Sequence, residues 1–264
     1  MKKSKRWRII TVVAVLAALV IYFVVTFNFV SSKEYETVCT AINVQISNKD
    51  ALSLVTEDDI ISIVKSSGEE TIGKPMKDIA VYKIQELLES KSYIKQVNVY
   101  TTIDGLLNVK LTQRVPVVRV HTPAGAFYMD SDGFVFPLSN TYTHYVPVVT
   151  GNMPLPFGLP YKGKLPDSES SKTLKDILSF VSFLNTNSFW NAEIEQIHVL
   201  PNLEVELVPR TGNHLVHLGK FDAYESKLDK LFTFYKNALP VEGWNKYSKL
   251  NLEYSNQVVA TLRN

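Results

Sequence analysis

Residues 92–116 read SYIKQVNVYTTIDGLLNVKLTQRVP. Within them Val97 and Val99 alternate with Gln96, Asn98 and Tyr100, and Val109 and Leu111 alternate with Lys110 and Thr112. A two-residue period sends successive side chains to opposite faces, so each run predicts a strand with one apolar face. Asp104-Gly105 between them is a hairpin signal, because glycine accepts the positive φ that a tight turn needs. The pair needs something to cover its apolar face.

The cover lies upstream. Thr56 is placed to cap a helix, Glu57, Asp58 and Asp59 complement its positive end, and Ile60, Ile63 and Val64 form its stripe. Ser67-Gly68 ends it. Pro75 suits the first position of a second helix, on which Ala80, Ile84, Leu87 and Leu88 share a face. Val38, Ile42, Val44 and Ile46 supply a strand before both. The predicted order over 35–114 is strand, helix, helix, strand, strand, with both helices on one face of a three-stranded sheet.

Further upstream, Lys2, Lys3, Lys5, Arg6 and Arg8 run into an uncharged apolar stretch from Ile9 to Val30. About twenty helical residues at ~1.5 Å each cross a bilayer core of about 30 Å. Residues 9–30 therefore predict a membrane-spanning helix, with 1–8 as a cytoplasmic tail and 31–34 as a linker. A cleaved signal peptide is the alternative, with Val30-Ser31-Ser32 as its weak cleavage site, but its apolar core runs only about 7–15 residues. The anchor reading places the bulk of the chain outside the cytoplasm, away from ATP and NAD.

Once the first thirty residues are set aside, 23 of the 28 Lys+Arg face all 26 Asp+Glu. No basic field remains, which disfavours nucleic acid as a partner. The single Cys39 has no internal disulfide partner and reads as a buried thiol in a strand-like run.

Downstream, 115–264 predicts a β domain with two helices. Phe127-Tyr128-Met129 and Phe134-Val135-Phe136 flank the turn Asp130-Ser131-Asp132-Gly133, and Val146-Pro147-Val148-Val149 follows. Residues 153–166, rich in Pro and Gly, read as a loop. Leu174, Ile177, Leu178, Val181 and Leu184 mark one helix; Tyr224, Leu228, Leu231, Phe232, Tyr235 and Leu239 mark the other. Ile194–Leu200 and Leu203–Val208 read as strands turning at Pro201-Asn202. Leu250, Leu252 and Tyr254 then alternate with Lys249, Asn251 and Glu253, and Gln257–Leu262 forms a last strand. Such a strand can leave an unpaired edge, suited to recognition by strand addition.

Chemical readings are weaker. His214 and His217 are three apart on a strand-like run, so they point to opposite faces and do not converge as zinc ligation requires. No nucleophile elbow is present. The carboxylates Asp130 with Asp132 and Glu193 with Glu195 suggest a glycosidase pair only loosely, since the first flanks a turn glycine and the second lies on a strand edge. Tyr142, Tyr145, Phe157 and Tyr161 could stack on glycan, although aromatics in a β domain are more often core. Trp244 reads as the anchor of the bend before the last strands. No catalytic residue, cofactor or metal ligand is expected.

In this order, the segments resemble the bacterial division family FtsQ, called DivIB in some lineages. Ser92–Val99 and Val109–Pro116 are similar to the end of its POTRA domain. Phe127–Phe136 with Val146–Gly151 resembles the entry to its second, β domain, and Tyr224–Leu231 followed by Leu250–Tyr254 its closing helix and strands. The chain departs from the family pattern at Ser92, where a proline is common, and at Ile103-Asp104-Gly105-Leu106 in place of a Pro-Asp-Thr-Leu-like turn.

The resemblance implies an α+β protein with one N-terminal transmembrane helix, a POTRA-like βααββ domain and a mostly antiparallel β domain with two helices. It implies a non-enzymatic scaffold of the inner membrane at the division septum, with its N-terminus cytoplasmic and its bulk periplasmic or outside. Its partners would be the FtsB–FtsL coiled-coil pair, with other divisome members meeting the POTRA-like domain. The FtsB segment would add as a strand at Tyr254, Gln257, Val258, Val259, Ala260, Thr261 and Leu262, with Tyr247, Ser248, Leu250, Leu252 and the 224–239 helix nearby. The competing readings are a POTRA-containing secretion or assembly module, a glycan-binding module and a membrane-anchored cell-wall enzyme. Secretion modules usually precede a long β-barrel, for which the chain leaves no length.

Overall fold

The computed structural model describes residues 3–48, 55–67, 71–138, 144–151 and 153–263. The chain divides into two units, Met1–Gln113 and Arg114–Asn264.

The first unit begins with helix α1 (Lys3–Glu36), whose apolar window Ile10–Phe27 is long enough to cross a membrane. Its apolar side chains lie open, Phe23 at 68 % and Ile21 at 62 %, a surface that lipid rather than water suits. The helix runs through 31–34, which were expected to form a linker. Ser31 to Glu36 contains no proline or glycine to stop it.

Strand β1 (Ala41–Ile46), helix α2 (Glu57–Ser66), helix α3 (Val81–Glu89), β2 (Ile94–Thr101) and β3 (Leu106–Gln113) follow. The sheet order is β1-β3-β2, with β3 parallel to β1 and antiparallel to β2. Thr56 caps α2 through a capping box: its hydroxyl accepts from Asp59 N at 3.2 Å while the Asp59 carboxylate accepts from Thr56 N at 2.8 Å. Ile60 and Val64 of α2 and Ile84 and Leu88 of α3 are buried with Val97, Val99, Leu107, Val109 and Leu111, so the helices cover one sheet face. Pro75 does not begin the second helix. It is extended, bridges to Val38 and precedes a 3₁₀ turn at Met76–Asp78, and α3 starts only at Val81. Thr102 N donates to Leu106 O at 3.1 Å, so the hairpin at Asp104-Gly105 is wider than a two-residue turn. Cys39 is buried and free.

The second unit is a ten-stranded sheet. Its elements are β4 (Pro116–Thr122), β5 (Gly125–Asp130), β6 (Phe134–Pro137), β7 (Val148–Gly151), β8 (Gly163–Lys164), α4 (Lys172–Thr186), α5 (Ser188–Glu193), β9 (Ile194–Val199), β10 (Val205–Pro209), β11 (Leu215–Gly219), α6 (Tyr224–Asn237), α7 (Leu239–Glu242), β12 (Tyr247–Asn251) and β13 (Val259–Leu262). The spatial order is β13-β12-β11-β10-β9-β7-β4-β5-β6-β8. Neighbours are antiparallel except β4/β7, β7/β9 and β11/β12. A parallel pair needs a crossover; α4 and α5 supply it between β7 and β9, and α6 and α7 between β11 and β12. Phe180 and Phe183 of α4 meet Tyr224 of α6, so both crossovers lie on one face.

Among the described residues α4 and α6 are the two expected helices, and the short α5 and α7 join them, too short to show a periodic stripe. Asn187 starts α5 by accepting from Phe189 N and Trp190 N. Val118, Val120, Val149, Ile197, Leu207, Val216 and Leu250 face the helices and are fully buried. The other face carries a run of polar residues, Thr150, His198, Glu206 and His217, beside apolar Val148 and Val208. Where β7 passes β9, a Cβ on Gly151 would lie 2.0 Å from Val199 O, and its φ of +118° already favours glycine.

Candidate partner interface

Strand β13 ends the sheet. One edge pairs with β12 through Tyr247↔Leu262, Lys249↔Thr261, Leu250↔Ala260 and Asn251↔Val259; the other meets no strand among the described residues. Its backbone groups on that side are the available template for a further strand.

Several contacts hold β13 in place. At the bulge between Tyr247 and Lys249, the Ser248 hydroxyl donates to Thr261 O at 3.4 Å and Leu262 O at 3.3 Å. Past the strand, Arg263 N donates to Lys246 O at 2.9 Å, and its guanidinium reaches the carbonyls of Asn213 and Tyr247. Lys230 on α6 donates to Leu252 O at 3.0 Å and to the carbonyl of Tyr254. Burial and the neighbouring Lys227 hold the Lys230 ammonium below its ordinary pKa.

Paired residues share a face, so Ala260 lies on the side of buried Leu250 and points toward the helices with Val258, while Val259 and Thr261 point away. Between α6 and the approach to β13 is a groove of about 500 Å³, lined by Lys230, Thr233, Phe234, Ala238, Gln257 and Val258 among others. Val259 and Leu262 are exposed, at 40 % and 60 %. An added strand would therefore find main-chain partners on β13 and apolar surface beside it.

The sequence-predicted residues divide into four groups. Gln257, Val259, Thr261 and Leu262 are exposed and Val258 and Ala260 half-buried at the edge. Tyr247 and Ser248 brace it from β12. Leu250 and Leu252 are fully buried and lie beneath the edge, where they cannot be offered to a partner. Tyr254 is exposed but sits in a turn, because β12 ends at Asn251. The alternation through Tyr254 does not continue the strand: Lys230 takes the carbonyls of Leu252 and Tyr254, and Asn251 Oδ1 accepts from Glu253 N at 2.9 Å.

The helix behind the edge is held by pairings that alternation and spacing do not show, although Trp244 is read from the sequence as a bend anchor and Tyr235 as part of the helix stripe. His214 Nε2 lies 2.7 Å from the Tyr235 hydroxyl, and Trp244 packs edge-on against the Tyr235 ring at 5.2 Å. Burial and then Arg263 hold the His214 imidazole below its ordinary pKa, while burial raises that of Tyr235.

The paired carboxylates are occupied structurally. Asp130 pairs with Arg114 at 2.7 Å and accepts from Asp132 N and Phe134 N across the turn. Glu193 is buried and accepts from Thr211 N at 3.2 Å and from the Thr211 hydroxyl. Glu195 pairs with Arg210 at 2.9 Å. Phe157 and Tyr161 stack on each other at 4.2 Å, and Phe157 also meets core Phe127 edge-on, so each ring already packs one face within the protein. Tyr145 is exposed beside Arg210, and Tyr142 lies outside the described residues.

A family model described as FtsQ/DivIB, C-terminal related, matches residues 115–261, and a POTRA-like domain model matches 37–112. No curated protein matches the chain.

Proposed function

The chain belongs to the FtsQ/DivIB family, and from that premise we propose that it is a non-enzymatic, single-pass scaffold of the division machinery that recruits FtsB–FtsL-type partners by strand addition at β13. In this reading α1 anchors the protein in the cytoplasmic membrane at the septum, with its basic end inside. The domain boundaries follow the segments 1–8, 9–30, 35–114 and 115–264, and the POTRA-like unit meets other divisome members. Recruitment would link early division proteins to septal cell-wall synthesis.

The unpaired edge of β13 beside the α6 groove carries this reading. Main-chain bonds along an added strand give affinity, and pockets for its alternate side chains give selectivity. The carboxylate pairs that an enzyme reading would need are held by Arg114, Thr211 and Arg210, which favours a binding role.

Titrating the full chain in detergent with the outer segment of FtsB tests the proposal. Val259→Glu and Leu262→Glu each place a charge on an exposed position of the edge, leaving the core intact. Each should weaken binding by about tenfold or more, since a desolvated unpaired charge at an interface costs at least about 1.4 kcal/mol. Unchanged affinity in both variants would remove β13 from the site.

A further inference from the structure

Outside the terminal edge, three carboxylates from two segments, Glu204 and Glu206 at the start of β10 and Glu253 after β12, converge on one buried histidine. His217 lies on β11 with 9 % of its side chain exposed. Its Nε2 is 3.2 Å from Glu253 Oε2 and 3.6 Å from Glu204 Oε2, and its Nδ1 is 3.6 Å from Glu206 Oε1. Nδ1 is buried and has no hydrogen-bond partner.

We propose that Glu204, His217 and Glu253 form a binding site for a divalent transition-metal cation of the zinc class. Four lines of geometry and charge support it. First, a neutral imidazole carries one N–H, yet both ring nitrogens face carboxylates, two of them at Nε2. A cation at Nε2 removes that conflict and leaves Nδ1–H for Glu206, the carboxylate–histidine arrangement that orients metal-bound imidazoles. Second, ligand atoms about 2.1 Å from a tetrahedral ion stand about 3.4 Å apart, and the two Nε2–Oε2 distances bracket that spacing. All three candidate ligand atoms lie within 4.8 Å of one another.

Third, the charge matches. Glu206 is paired with Lys249 at 2.6 Å, so one ammonium offsets one of three carboxylates, and Glu204 and Glu253 bring two negative charges to a divalent cation. Fourth, access and room are present. The side chains of Glu204 and Glu253 are 26 % and 43 % exposed, which leaves the fourth position open to water. Gly219 makes space for the Glu253 side chain, since a Cβ there would stand 2.7 Å from Glu253 Cγ. Imidazole with carboxylate suits zinc and its neighbours, whereas calcium and magnesium prefer all-oxygen sites. Glu253 lies in the connection from β12 to β13, so the cation would fasten that connection to β11 and the approach to β10, whether or not β13 docks a partner.

The test uses the full chain without a histidine tag, in detergent and after chelator treatment. It is titrated calorimetrically with Zn²⁺ and by absorption with Co²⁺. One site per chain, an intense tetrahedral Co²⁺ spectrum and no binding of Ca²⁺ are expected. Glu253→Gln, on an exposed side chain, should weaken Zn²⁺ by more than about tenfold with circular dichroism unchanged. Glu206→Gln should weaken it by about 10–100-fold through the lost orientation of the imidazole. Failure of the wild type to bind Zn²⁺ at millimolar concentration, equal affinity in Glu253→Gln and His217→Gln, or equal binding of Ca²⁺ would each overturn the proposal.

Discussion

His214 shows how a single side chain links the sheet to the helix behind its terminal strands. Its contact with Tyr235 at 2.7 Å ties the approach to β11 to α6. Burial and Arg263 lower its folded pKa. Below about pH 6.5 an unfolded chain takes up a proton that the folded imidazole resists. Its stabilising effect is therefore complete above that pH and fades as pH falls through it toward the lowered folded value. The urea midpoint of the full chain should drop between about pH 7.5 and 5.5, and His214→Gln should make that drop shallower. An identical drop in the variant would remove His214 as a contributor. His144, whose pKa burial also lowers, should keep part of the slope in the variant.

At the scale of elements, β7 is threaded between β4 and β9, parallel to both, at a spacing that only glycine at 151 permits. Gly151→Ala should destabilise the second unit by more than about 1 kcal/mol, read as a lower urea midpoint. A midpoint equal to wild type would mean that β7 and β9 are not as close as described. Local elements were readable wherever a period or a cap was long enough to see: the Thr56 cap, the α4 and α6 stripes, and the strands around Asp104-Gly105. Strand order was not readable, because alternation reports which face a residue takes and not which strand lies beside it. The placement of β7, the parallel β11/β12 pair and the edge position of β13 all belong to that missing information. Leu252 and Tyr254 show the same gap, since their alternation is genuine but the Lys230 ammonium claims their carbonyls. Glu204 and Glu206 lie near His217 in sequence, but Glu253 comes from a connection 36 residues beyond it, so spacing along the chain could not assemble the site.

For the whole molecule, a long exposed apolar helix, a POTRA-like unit and an FtsQ/DivIB-related unit define a membrane-associated division protein, and the terminal edge is where it would meet a partner. Hydrogen exchange on the full chain in detergent, with and without the outer segment of FtsB, tests that claim most directly. Strand addition predicts new protection of outward-facing amides within Val259–Leu262, together with slower exchange in the neighbouring α6 segment. Binding that leaves Val259–Leu262 exchanging as in the free chain, with protection elsewhere, would contradict it.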